Sequence, residues 1–226
     1  MSPSPQPAGR PRWDPAPREG WVAPRLREEL PGLGIAWVEV DAKPGRSPEP
    51  VRRRLRLLAD RIYGQEAIRV RERPVPWSYR VFFRQIGLDP DRDRTPVEER
   101  IFERLRDGGF VSRGFVADAL TIAIVETGVA LRAFDADACE GRLCIREAGI
   151  AEPHPAGLGE LAPGTLVIAD EAGPLGLLFG ADAEHVRVSR RTRRVAIAAI
   201  AVGSVPRMAV EEALWMAAAT VEHPRA

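Results

Sequence analysis

The chain has 226 residues, 45% of them apolar and 29% charged, with a formal net charge of +1. That length and apolar content suffice to bury a core within one domain, and a charge so close to zero gives no global signature of nucleic-acid binding. The longest apolar run, Val195–Val202, has eight residues, far short of a membrane span.

The first 20 residues contain six prolines and almost no aliphatic side chains, which predicts a disordered leader over 1–20 and one domain over 21–226. No apolar segment follows a basic stretch there, so no secretory signal is expected and the protein reads as cytoplasmic. Ile35–Val40, bounded by glycine and proline, predicts a strand. Val51, Leu55, Leu58 and Ile62 then recur at helical spacing on an arginine-rich segment, which predicts an amphipathic helix. A second helical stretch runs from Trp77 to Ile86.

Thr95-Pro96-Val97-Glu98 carries a strong helix-start signal. Threonine at the N-cap, proline at the first helical position and glutamate three residues past the cap can satisfy each other's free amides. Val97, Ile101 and Leu105 supply the apolar stripe, and Gly108-Gly109 ends it. Val116–Glu126 predicts a further helix, closed by Gly128 as a left-handed cap.

Beyond this point the period changes. Leu143–Arg146, Thr165–Asp170, Leu175–Phe179, Val186–Ser189 and Arg194–Val202 read as short strands separated by Gly, Pro and Asp, and Met208–Val221 as a closing helix. Helices followed by a run of strands predict an α+β fold, with helices in the N-terminal half and a largely antiparallel or mixed sheet in the C-terminal half.

Signatures of chemistry are sparse. The chain has no G-x-S-x-G elbow, P-loop or H-E-x-x-H. Gly157-Leu158-Gly159 lacks the third glycine of a dinucleotide fingerprint. Cys139 and Cys144 are the only cysteines. They form neither a four-ligand zinc set nor a disulfide framework and read as ordinary buried thiols, so no metal and no cofactor is expected.

Lys43 is the only lysine, a bias that a GC-rich genome explains without any RNA-binding role. Two arginine clusters, Arg52 to Arg56 and Arg190, Arg191, Arg193 and Arg194, read either as solvated faces or as phosphate contacts. His154 and His223 read as surface residues, which leaves His185, beside Glu184, as the histidine of interest. Asp118, Glu126, Asp135, Asp137, Asp170, Asp182 and Glu184 all fall at element ends or next to glycine. Carboxylates there either cap turns or orient an amine or a water.

Order and spacing of several segments carry a resemblance. Val116 to Gly128 leads into Val129-Ala130-Leu131-Arg132-Ala133-Phe134-Asp135, then Gly141-Arg142-Leu143-Cys144-Ile145-Arg146. Leu166 to Asp170, Gly173 to Gly180 and Val188 to Thr192 follow. Together with Trp77–Gly87 and Arg94 to Glu99, this pattern resembles the B3/B4 editing module of phenylalanyl-tRNA synthetase β subunits, here as a free-standing protein.

In that family the module hydrolyses tyrosine wrongly attached to the phenylalanine tRNA. The resemblance therefore implies a mixed B3/B4-like fold and a trans-acting aminoacyl-tRNA deacylase. Its expected partners are the aminoacylated acceptor end of tRNA and the amino-acid moiety as small-molecule ligand, with no membrane. A non-catalytic amino-acid- or tRNA-binding module is the alternative.

Residue by residue, the resemblance places Glu184 at the family's acidic pocket position, for substrate or water orientation. Arg132 replaces the family's histidine and Thr121 its asparagine. Arginine cannot serve as a base at neutral pH but can bind an oxyanion or phosphate, so Arg132 joins Glu184 as a candidate catalytic residue. Thr121, Thr192, Asp170 and His185 are candidate substrate contacts, and Arg190, Arg191, Arg193 and Arg194 candidate tRNA contacts.

Overall fold

The structure, a computed structural model, describes residues 16–62 and 64–224. Two four-stranded sheets and seven α-helices form the described part. The first sheet has the order β1 (Arg18–Glu19), β3 (Gly34–Asp41), β8 (Arg194–Ala201), β4 (Ala130–Asp135), antiparallel throughout. The second has the order β2 (Trp21–Val22), β5 (Cys144–Glu147), β6 (Leu166–Ala169), β7 (Pro174–Leu177), with only the β2–β5 pair parallel. The helices are α1 (Pro24–Glu29), α2 (Glu49–Arg61), α3 (Gln65–Arg69), α4 (Pro74–Gln85), α5 (Pro96–Asp107), α6 (Phe115–Thr127) and α7 (Arg207–Glu222).

Strand periodicity sorts the core into layers, because successive side chains point to opposite faces. In β8, Val195, Ile197 and Ala199 pack under α2, α5, α6 and α7, whereas Ala196, Ala198 and Ile200 face the second sheet. In β3, Ala36, Val38 and Val40 join the helical side, and Ile35 and Trp37 the inter-sheet side. The inter-sheet core also takes in Tyr79, Phe82 and Phe83 from α4. Cys144, Val167 and Ala169 lie on the far side of the second sheet. The fold is α+β, as the order of elements predicts.

The expected helices form. Gly108 and Gly128 end α5 and α6 with φ of 73° and 79°, the left-handed conformation that glycine adopts without Cβ strain. At the start of α5, Glu98 Oε2 accepts from the Thr95 amide at 3.1 Å and from the Thr95 hydroxyl at 2.6 Å.

Three expectations need correction. The strands form two sheets rather than one, and the N-terminal half supplies β1 and β2 besides the expected strand β3, which sits inside the first sheet between β1 and β8. Of the expected leader, residues 1–15 lie outside the described residues, but Arg18 and Glu19 pair with Trp37 and Ala36 and so belong to the sheet. Val186–Ser189 is not a strand. Glu184–Val186 is a 3-10 turn in which Val186 N donates to Ala183 O and Arg187 N to Glu184 O. Amides used locally are not free to extend a ladder, and only Arg187 bridges a strand residue, Phe134.

Tyr79 joins the first sheet to α4. Its fully buried hydroxyl donates to Ile200 O at 2.5 Å and accepts from Ala130 N at 3.0 Å, the two ends of one β4–β8 pair. Burial raises its phenol above the usual tyrosine range. Tyr79→Phe orphans both backbone groups and is expected to cost about 2 kcal/mol, read as a lower denaturant midpoint with an unchanged slope.

Candidate functional site

Arg132 lies in β4 on the same face as Ala130 and Phe134, toward the second sheet. Its guanidinium fork is fully directed at the loop that follows β7. Nη1 donates to Leu177 O at 3.1 Å and to Leu178 O at 3.4 Å. Nη2 donates to Gly180 O at 2.9 Å and to the Asp182 carboxylate. The side chain is 15% exposed. A glycine at 176 makes room for this arrangement. A Cβ there would stand 2.8 Å from Asp182 Oδ1 and 3.2 Å from Arg132 Nη2.

The same loop is gripped from the other side by α4. The Phe179 ring meets Tyr79 and Phe82 edge-on, at centroid distances of 6.2 and 6.0 Å, and Phe83 at 4.9 Å, geometries favoured by the ring quadrupoles. Ala183 N then donates to Leu175 O at 2.7 Å, and the 3-10 turn carrying Glu184 and His185 follows directly. Both side chains are exposed. Arg132 therefore acts on this turn indirectly, by fixing the loop that leads into it.

Thr192 and Asp135 build the next turn. The buried Thr192 hydroxyl donates to Asp135 Oδ2 at 2.6 Å and accepts from Ser189 N at 3.0 Å, and Arg191 N donates to Ser189 Oγ at 3.2 Å. Around this pinned turn Arg190, Arg191 and Arg193 are exposed, and none has a carboxylate partner among the described residues. Arg194 differs from them. It is held by Asp137 at 2.8 Å and by Glu39 at 3.2 Å.

The remaining candidates are structural. Asp170 is buried, and its carboxylate accepts from Glu140 N at 2.7 Å, Ala172 N at 2.8 Å and Gly173 N at 3.0 Å, which shapes the β6–β7 turn. Thr121 sits on α6, and its hydroxyl donates to Ala117 O of its own helix at 2.9 Å. The buried residues of α6 pack with Leu131, on the opposite face of β4 from Arg132. No hydrogen bond links Thr121 to Arg132, Thr192 or Glu184. Burial pushes the Cys139 thiol up to about 12, so it supplies no thiolate nucleophile at neutral pH.

One continuous segment, 184–193, thus presents a carboxylate, an imidazole and a row of guanidinium groups to solvent. Sequence reasoning singled out most of these residues, Asp182 among its candidate acids, but missed that Phe179 and Asp182 position the segment. The aromatic side chain between glycines in Gly176 to Gly180 was the available signal.

Comparison with known proteins agrees with the resemblance. The family model described as the B3/4 domain matches residues 78–211, more than half of the chain. The chain belongs to the B3/4 domain family. The match runs from α4 into α7 and contains Thr121, Arg132, Asp170, Glu184, His185, Thr192 and the 190–194 arginines. The phenylalanine–tRNA ligase beta subunit of Tropheryma whipplei (strain Twist) is 33% identical over 121 residues, which is 52% of this chain and 12% of that protein. This B3/4 protein therefore spans a small part of that relative's length. An N-terminal fragment of the phenylalanyl-tRNA synthetase beta subunit from Pyrococcus horikoshii gives a TM-score of 0.44 at 14% identity, over 89% of this chain and 48% of that one. No described helix is long and apolar enough to cross a membrane.

Proposed function

We propose that this B3/4 protein binds the aminoacylated acceptor end of tRNA and hydrolyses mischarged aminoacyl esters in trans. The observation that carries the reading is the 184–193 segment, where Glu184 shares one surface stretch with Arg190, Arg191 and Arg193, none of them paired with a carboxylate among the described residues. Family membership and the likeness to a phenylalanine–tRNA ligase beta subunit support this choice of substrate class.

The reaction is addition of water to the ester carbonyl, followed by collapse of the tetrahedral oxyanion and departure of the ribose oxygen with a proton. Glu184 either takes a proton from the attacking water or holds the substrate α-ammonium. Arg190, Arg191 and Arg193 hold phosphates of the acceptor end. Arg132 has a positioning role, since its donors already serve Leu177, Leu178, Gly180 and Asp182.

A specific observation favours a second reading, a binding module without hydrolysis. Arg132, Thr121 and Thr192 all spend their polar groups within the protein. One experiment separates the two. Correct and mischarged aminoacyl-tRNAs are incubated with substoichiometric protein, and the same tRNAs are titrated for binding at several salt concentrations.

Deacylation of a mischarged species with about a hundredfold loss in Glu184→Ala is the expected result, in the range of a lost general base. Binding without turnover would establish the second reading. Combined Arg190→Ala, Arg191→Ala and Arg193→Ala substitution is expected to flatten the log K against log salt slope by about 2, as three lost single-strand phosphate contacts would. An unchanged slope would remove these arginines from the interface.

A further inference from the structure

A cleft of about 420 Å³ opens between α3, the chain before α4, the α4–α5 connection and α5. Its volume lies in the range of small-ligand sites. Residues 67–71 on one of its walls precede the B3/4 match, so the cleft is not wholly a feature of the matched region. It also shares no residue with the 184–193 segment.

The cleft combines two features that are rarely left open to water together. Ile68, Phe102 and Leu105 are 56%, 38% and 49% exposed and line it side by side with the buried Val70 and Ile101. Clustered exposed apolar side chains mark binding sites more often than scattered ones do. Cations surround them. The Arg94 guanidinium lies over the Phe102 ring at 3.6 Å from its centroid, a cation–π stack with one planar face already built. Its carboxylate partner, Glu99, is 3.8 Å away. Arg71 has no carboxylate partner among the described residues.

The two acids that line the cleft, Asp91 and Glu98, make their ion pairs with Arg80, whose side chain is 6% exposed. Arg80 donates also to Pro90 O at 3.2 Å, and its buried Nε has no hydrogen-bond partner among the described residues. The cleft therefore has an apolar wall, a flat stacking surface and, in Arg71, a guanidinium without a carboxylate partner among the described residues.

We propose that this cleft binds a small planar aromatic anion, its ring against the Arg94–Phe102 stack and its carboxylate or phosphate toward Arg71. Phenylacetate and AMP represent the two sources of such an anion. Each is titrated into the whole protein and followed by calorimetry and by NMR. At least one is expected to saturate with a Kd near or below about 1 mM, and Arg94→Ala is expected to weaken it at least tenfold, with a similar loss in Phe102→Ala.

Saturation by phenylacetate alone identifies a carboxylate site, and by AMP alone a phosphate site. Arg94 is 39% exposed, so its replacement is expected to leave the fold intact. Absence of saturation by both compounds, or binding unchanged in both variants, would overturn the proposal.

Discussion

Arg132→Ala is expected to destabilise the protein by about 2–3 kcal/mol and to release the loop at 177–182. The substitution removes the donors of three backbone carbonyls and leaves the Asp182 carboxylate without its cation. Charge-assisted bonds of this kind contribute about 1.5–3 kcal/mol each when a partner is lost, less where water replaces it. Asp182 is 28% exposed, so part of the loss is recovered by hydration.

Arg132→Lys is expected to recover little, because one ammonium cannot reproduce a planar fork that serves four acceptors. Hydrogen exchange locates the effect. Amides of Leu177 and Ala183, which donate to Ala181 O and Leu175 O, should lose protection while those of β3 and β8 keep theirs. Unchanged protection at Leu177 and Ala183 would refute the positioning role. If Glu184 carries hydrolysis, Arg132→Ala should lower turnover more than it lowers tRNA affinity.

Asp118→Ala is expected to cost about 2–3 kcal/mol. Asp118 is 1% exposed, yet its carboxylate is met by three donors: the Ser47 and Ser112 hydroxyls, both at 2.5 Å, and the Arg113 amide at 2.8 Å. Removing it strands the Ser47 hydroxyl, 2% exposed, in the interior, where an unsatisfied group costs about 1–3 kcal/mol, and releases the Ser112 hydroxyl and the Arg113 amide at the surface. The loop at residues 45–47, held to the start of α6 by Phe115 N donating to Gly45 O at 2.9 Å, loses its other tie.

Asp118→Asn keeps one acceptor but turns an amide donor toward hydroxyl donors, so an intermediate loss is expected. Urea denaturation reads both. A loss below about 1 kcal/mol for the alanine variant would mean that water replaces the carboxylate, contrary to its burial.

Asp118 also shows where sequence reading stops. It belongs to the group of acids at element ends, for which capping and chemistry are both open from sequence. The structure gives Asp118 and Asp170 to turns and caps, Asp135 to the Thr192 turn and Asp182 to Arg132. Glu184 alone of the proposed catalytic pair keeps its polar atoms free for a substrate. Thr192 came to notice as a pocket residue and proves to be the buried pin of an arginine-bearing turn.

By itself, the sequence determined five of the seven described helices and five of the eight described strands, missing α1, α3, β1, β2 and β4. Apolar residues recurring at helical spacing, a Thr95–Glu98 cap and glycines at 108 and 128 act within a few residues of each other, so their energetics are local and can be read along the chain. The order of motifs likewise determined the B3/4 family, later matched over residues 78–211.

Only the tertiary structure decided that β3 would lie against β8, that the strands would divide into two sheets, and which partner each charged group would take. Arg132 meets Asp182 across 50 positions and Ser47 meets Asp118 across 71. Such pairings depend on where the packed sheets and helices bring distant segments, and no short-range pattern of residues encodes that meeting point.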